Sequence, residues 1–404
     1  MAATAGYGGY GVRPRPPGSA RRMLEPMPEY WRNALARAEG AIAQPFVGVT
    51  TDGKVVPGLF PLQQTGVPTR PVTDAAAAFV ELLKPEQRDL ALHPVDSPEW
   101  RRWSNWEQYP LRHGLSMEEM SPGQLAAALD LMRASLSVRG FTTARNVMKL
   151  NEVLREITGL DDSLGEWPYF FCIFGTPSAY EPWGWQIDGH HLNINYFVCG
   201  DQVVMTPAFM GAEPTLADRG PYKGLREFEV QERTGLELIR ALTPEQRAQA
   251  IVFPSIMSKD LPPERYTPND GRQQAVAFKD NAVIPYEGLR ADAMTRGQQH
   301  LLRSLLRSYV GWLRPGHAEV WLEEIEGHLA DTYFTWMGGS GENDVFYYKV
   351  HSPVLLVDFD MHKGIFLDND EPEKFHVHIL VRTPNGNDYG KELLRQHLAR
   401  FHTR

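Results

Sequence analysis

The run Asp188-Gly189-His190-His191-Leu192-Asn193-Ile194-Asn195 sets two adjacent imidazoles behind a carboxylate and a glycine, at the entry to a strand-like segment. His376-Val377-His378 repeats the theme far downstream, again in strand-like context. Imidazoles are the commonest protein ligands for transition metals and the side chains whose charge changes near neutral pH, so such clusters point to metal binding or proton transfer. Residues two apart on a strand share a face, which lets His376 and His378 reach one ion. His190 and His191 point to opposite faces of a regular strand, so one of them joins the site unless a bulge intervenes.

These residues set the expected roles. His190, His376 and His378 are the expected metal ligands, with His191 as an alternative ligand or a general base. A mixed imidazole and carboxylate set suits zinc first, and iron, manganese or copper as well. Asp188 or Glu213 would transfer protons, and Arg382 would hold a carboxylate or a developing oxyanion. Trp183 and Trp185 would wall a pocket for a small-molecule substrate, with Asn193 and Arg145 as polar contacts. A divalent ion held this way suits hydrolysis or elimination on a small polar or aromatic molecule. Two other functions fit the same residues: an oxygen-using iron or copper oxidoreductase, and a non-enzymatic small-molecule binding protein with the histidines as hydrogen-bond donors.

The elements that must position these groups are strands. From Lys374 to Arg382, Phe375, Val377, Ile379 and Val381 form an apolar face, and His376, His378, Leu380 and Arg382 form the other. From Val354 to His362, Asp358, Asp360 and His362 share one face, so pairing of the two segments would set carboxylates beside imidazoles. Residues 169–175, 191–198 and 203–206 also read as strands, the last two as a hairpin through Cys199-Gly200-Asp201-Gln202. Helices are expected at 73–83, 142–159, 225–241, 244–252, 295–313, 317–332 and 391–401. Ser121-Pro122-Gly123-Gln124 and Thr243-Pro244-Glu245-Gln246 are capping boxes with proline at the first helical position. With helices flanking two strand groups, 169–206 and 344–382, the expected fold is a single large α+β domain over residues 23–404. Its mixed or antiparallel sheet would join both groups and bring His190 to His376. Residues 1–22 are expected to be a flexible leader, and Asp388 a partner that orients a histidine.

Composition bounds the function. The net charge of -9 argues against a general nucleic-acid binder, which needs a basic face. Only two cysteines are present, Cys172 and Cys199, too few for a disulfide framework or an all-thiolate zinc site; two buried free thiols are expected. No apolar run approaches the ~20 residues of a membrane helix, and residues 1–20 lack the apolar core of a signal peptide, so a cytoplasmic location is expected. Gly-x-Ser-x-Gly, P-loop and His-Glu-x-x-His patterns are missing, and the glycine-rich run Gly6 to Gly11 lies in the leader without the preceding strand a dinucleotide fingerprint needs, which disfavours those enzyme classes.

In order along the chain stand Phe174-Gly175-Thr176-Pro177-Ser178, Trp183-Gly184-Trp185, Gly189-His190-His191-Leu192-Asn193, Thr206 through Pro214, His376-Val377-His378 with Arg382, and Asn387-Asp388-Tyr389-Gly390. This series resembles a bacterial and fungal family known as domain of unknown function 3500, over roughly residues 75 to 400. The family pattern has Glu before Gly189, where this chain has Asp188, one methylene shorter. The resemblance implies which residues matter and implies no reaction.

Overall fold

The computed structural model describes residues 6–402. Its strands are β1 (Leu92–His93), β2 (Leu115–Ser116), β3 (Phe170–Phe174), β4 (Trp183–Gly189), β5 (Leu192–Cys199), β6 (Gln202–Val204), β7 (Ala208–Ala212), β8 (Ile251–Phe253), β9 (Leu289–Arg290), β10 (Tyr333–Gly338), β11 (Phe346–His351), β12 (Leu356–Lys363) and β13 (Pro372–Arg382). Among the described residues they form one sheet in the order β1-β3-β4-β5-β7-β13-β12-β11-β10-β8, with β2 on β3, β6 on β5 and β9 on β10. The β1–β3 and β8–β10 pairs are parallel and the others antiparallel. The expected α+β domain with a joined sheet is therefore what the chain forms. The joint is β7, which pairs with β5 on one side and β13 on the other and so sets Leu192 and His378 on either side of its Met210 and Gly211.

The helices are α1 (Glu29–Ile42), α2 (Arg70–Glu81), α3 (Pro85–Ala91), α4 (Pro122–Ser135), α5 (Val138–Thr158), α6 (Glu229–Ala241), α7 (Pro244–Ala250), α8 (Arg296–Val310), α9 (His317–Gly327) and α10 (Lys391–Phe401). Their ends follow local chemistry. Ser121 accepts from the Gln124 backbone while the Gln124 side chain accepts from Ser121 N–H, and Thr243 and Gln246 repeat this on α7. Gly159 ends α5 at φ +70°, a left-handed cap that glycine adopts without steric cost.

Both faces of the central strands are buried: on β13, His376, His378 and Arg382 on one face are as enclosed as Ile379 and Val381 on the other. From residue 6 onward the expected leader lies along the domain. Tyr7 donates to the Leu216 carbonyl, Arg13 N–H donates to Phe366 O at 2.7 Å, and the Arg15 guanidinium stacks 4.6 Å from the Phe366 ring centroid. Residues 1–5 lie outside the described residues.

Candidate metal centre

His190 and His191 are not strand residues. They form the two-residue turn between β4 and β5, closed by the Gly189–Leu192 pair. His191 has φ +64°, a conformation uncommon outside glycine, asparagine and aspartate and one that the surroundings must hold in place. Asn105 helps to hold it, accepting from His191 N–H at 2.7 Å, and Tyr169 donates to His190 O at 3.0 Å. The turn geometry sends both imidazoles the same way, stacked with centroids 3.8 Å apart. The choice between two opposite strand faces therefore does not arise.

Across the joint, β13 presents His376 and His378 to this turn. His378 Nε2 lies 3.2 Å from His191 Nε2 and 2.9 Å from His376 Nε2. Ligand nitrogens of these three buried rings all fall within 4.8 Å of one another. The convergence needs Gly211 on β7, because a β-carbon there would lie 2.9 Å from His191 Cδ2 and 3.1 Å from His378 Cδ2.

Proton positions follow from the partners. His376 Nδ1 lies 2.6 Å from the Lys363 carbonyl, and His362 Nδ1 lies 3.0 Å from the same oxygen. A carbonyl only accepts, so both Nδ1 atoms carry hydrogen and both neutral rings present a bare Nε2. His378 Nε2 faces two other Nε2 atoms, and a single proton there can bridge only one of the two pairs. The remaining contact is left unsatisfied, with lone pair facing lone pair at 2.9 Å if the proton sits on His191, unless a cation lies among the three nitrogens. Tetrahedral zinc with nitrogens at about 2.0–2.1 Å spaces its ligands about 3.3 Å apart, close to the two distances observed. Burial holds the imidazoles of His190, His191, His362 and His378 well below their ordinary value of 6.5, and neighbouring rings add to this. Burial lowers His376 as well, opposed by Glu213. Neutral rings keep their lone pairs available to a metal.

The centre opens into a cleft of about 330 Å³, lined in part by His190, His191 and His378. Its aromatic walls are Trp31, Trp103, Trp106, Phe209 and Phe278. Gln273 also lines it, with a buried Oε1 that has no hydrogen-bond partner. His190 Nδ1 is 2.8 Å from Asn151 Oδ1 on α5 and therefore donates to it, which leaves the Nε2 lone pair of neutral His190 free for proton transfer.

The other expected site residues lie elsewhere or hold the frame. Asp188 is buried, accepting from Arg112 Nη1 at 2.9 Å and Ser104 N at 3.0 Å. Glu213 accepts three backbone N–H groups, from Ile365, Phe366 and Leu367, at 2.9–3.1 Å. It thereby anchors a turn beside His376, whose Nδ1 is 3.7 Å from Glu213 Oε2. Arg382 is bound by Asp280 at 2.8 Å, Asp388 at 3.0 Å and the carbonyls of Ala275 and Val276, so it is a packing anchor rather than an anion clamp at the histidines. Asp388 accordingly orients Arg382 and the Thr383 backbone, not a histidine. Trp185 stacks between Phe171 and Tyr196 and donates to Ser135 Oγ on α4, and Trp183 donates to Ser178 O; both are core residues, and Trp31, Trp103 and Trp106 take the wall position instead. Asn193 donates to Gly189 O across the hairpin. Arg145 pairs with Glu166 and stacks over Trp167.

The pairing of β12 with β13 does set Asp360 opposite His378, as the alternation implied, but Arg272 holds its carboxylate. Asp358 is held by the Tyr347 hydroxyl. Sequence reasoning missed Asn105, Asn151, Arg112, Arg272 and Gln273. These residues sit on helices and loops with no periodic signal linking them to the histidines.

The chain matches the family described as Protein of unknown function (DUF3500) over residues 65–391, and it belongs to that family. No curated protein and no solved structure matches it.

Proposed function

From the three converging imidazoles at the edge of a cleft, we propose that this chain is a metal-dependent enzyme, a hydrolase or lyase acting on a small polar or aromatic molecule bound in the cleft. The observation that carries the reading is His378 Nε2 facing both His191 Nε2 and His376 Nε2 inside 3.2 Å. His191, His376 and His378 would hold the ion, with His191 taking the place first expected for His190. Three protein ligands at the edge of a cleft match the catalytic rather than the structural pattern, in which one position stays open. An all-imidazole set suits zinc first. A divalent ion there supplies Lewis acidity for a carbonyl or for water.

The chain's own residues do the rest. Asn151 fixes the tautomer of His190, which accepts or returns a proton at Nε2 beside the centre. The Lys363 carbonyl orients His376, in the manner of an outer-sphere partner that sets ring direction and ligand basicity. The tryptophans exclude water and bind an apolar or aromatic body, while Gln273 offers one directed polar contact.

Elemental analysis of tag-free protein, wild type and a His376→Ala/His378→Ala variant, tests the reading. One equivalent of zinc or another transition metal per chain that wild type holds and the variant lacks is the expected result. No metal in either protein, and none taken up on titration, overturns it. A His190→Ala variant separates the roles: it should keep the metal and lose turnover.

A further inference from the structure

A second group of soft ligands gathers around β3, and none of its members lines the cleft. His93 ends β1, Cys172 is the central residue of β3, and His113 sits on the loop that leads through Gly114 into β2. The three meet because β1 and β2 both pair with β3, through Leu92–Ile173 and Leu115–Phe171. One nitrogen from each ring and the Cys172 sulfur all lie within 4.8 Å of one another. The His93 and His113 ring centroids are 5.7 Å apart, and His93 is braced against Phe174 at 5.3 Å.

Three features set this group apart from ordinary core packing. His93 Nε2 and both His113 ring nitrogens are buried without any hydrogen-bond partner, although native structures leave few buried polar atoms unpaired. Gly114, at φ +91°, lets the loop close onto the thiol, since a β-carbon there would stand 2.5 Å from Cys172 Sγ. The two histidines keep part of their surface accessible, while their ligand nitrogens and the thiol are enclosed.

We propose that His93, His113 and Cys172 form a second metal centre, with two imidazole nitrogens and one thiolate sulfur as ligands, for a thiophilic ion: zinc or copper(I). The chemistry of the donor set selects these ions, because thiolate prefers soft or borderline cations and imidazole suits both. Binding forms the metal–sulfur bond and releases the thiol proton to solvent. No redox step is involved. The centre pins the β1 and β2 segments to β3, and it stands or falls independently of the trihistidine centre.

Cobalt(II) substitution of the full chain tests it. Apo protein is prepared with a chelator under reducing conditions and titrated with cobalt(II). A thiolate-to-cobalt charge-transfer band in the near ultraviolet reports sulfur ligation, which the trihistidine centre cannot supply. The band should appear in wild type, in His376→Ala/His378→Ala and in Cys199→Ser, and vanish in Cys172→Ser. His113→Ala should weaken cobalt binding at least tenfold, which guards against a Cys172 variant that fails to fold. Zinc stoichiometry should fall from two per chain to one in either the Cys172→Ser or the His376→Ala/His378→Ala protein. Displacement of bound zinc by copper(I) at this centre alone identifies copper as the preferred ion; retention of zinc identifies zinc. A single equivalent of metal in wild type, lost with His376 and His378, and no charge-transfer band overturns the proposal.

Discussion

Gly211→Ala probes the trihistidine centre without removing a ligand. The added β-carbon would sit 2.9 Å from His191 Cδ2, 3.1 Å from His378 Cδ2 and 2.8 Å from the Val377 carbonyl oxygen. Carbon–carbon contact becomes favourable only from about 3.5 Å, so the two rings must retreat by about 0.6 and 0.4 Å. The Val377 carbonyl sits in the β7–β13 pairing and cannot take up the movement cheaply, so the rings give way. Metal sites tolerate roughly 0.2 Å in ligand distance. The displacement is thus two to three times the tolerance, and zinc affinity should fall roughly 10- to 100-fold, the range seen when a ligand's support is altered. Overpacking costs about 1–3 kcal/mol of stability. For a chain of this length, with about 2.1 cal/mol/K of unfolding entropy per residue, that lowers the melting temperature by about 1–4 °C, so the apo variant stays folded. Competition against a chromogenic chelator measures the affinity, and a thermal melt in excess chelator measures the fold. Gly123→Ala on α4, where a β-carbon meets nothing within 4 Å, is the control and should match wild type in both. A Gly211→Ala protein that shows the expected melting shift yet binds zinc as tightly as wild type would refute the claim that these rings chelate together.

Three further outcomes are expected. Zinc at about 1,000 times its dissociation constant for the trihistidine centre contributes about 4 kcal/mol, hence about 5 °C of the rise in melting, a share present in Cys172→Ser and absent when His376→Ala/His378→Ala is added to it. Arg112→Ala strands Asp188, its partner in an ion pair whose side chains are each 1% exposed, and should cost about 3–5 kcal/mol in urea unfolding; a loss under about 1 kcal/mol would show that the pair does not hold the β4 end. His351 on β11 is pushed down to about 3 by burial and then by the neighbouring Lys349, and both its ring nitrogens lack partners. The unfolded chain protonates this group below about 6.5 and the folded chain does not, so its contribution to stability is lost as pH falls from about 6.5 toward 3, by about 1.4 kcal/mol per pH unit. His351→Phe, which keeps the ring contact with Tyr286, should therefore gain about 2 kcal/mol relative to wild type between pH 7.5 and pH 5. A pH-independent difference would contradict the assigned burial.

The helices are legible in the sequence because their signals are local. Apolar spacing, capping boxes and Gly159 set α4, α5, α7 and α10 to within a few residues. The joined sheet and the meeting of the two histidine clusters are legible from the grouping of strand-like segments. The strands β7 and β10 are not: β7 is buried on both faces, as β10 nearly is, and Ala208–Ala212 carries no period-two alternation. β4 does alternate, Trp183, Trp185 and Ile187 against Gly184, Gln186 and Asp188, but this segment is not among the expected strands. Without β4, the His190-His191 pair reads as the start of a strand rather than a turn, which favours His190 over His191 as a ligand. The roles expected of Arg382, Trp183 and Trp185 miss for a different reason: residue type marks a side chain as capable of chemistry, but only the fold says which face looks into the cleft. The partners that saturate Asp188, Glu213, Asp360 and Arg382 come from loops distant in sequence, where no motif betrays them.

The position of β13 has a consequence for how the chain is made. His191 and His378 are 187 residues apart, and the strand carrying His378 is near the end of the sequence yet lies in the middle of the sheet. Until it emerges from the ribosome and inserts, β7 and β12 each present an open edge, with unpaired backbone groups facing one another across an empty slot. Such long-range pairing is slow, and exposed edges invite pairing between chains. Products truncated before Pro372 should therefore aggregate rather than persist as folded monomers. A metal at the proposed trihistidine centre would bind only after closure of the sheet, so its uptake there would report completed folding.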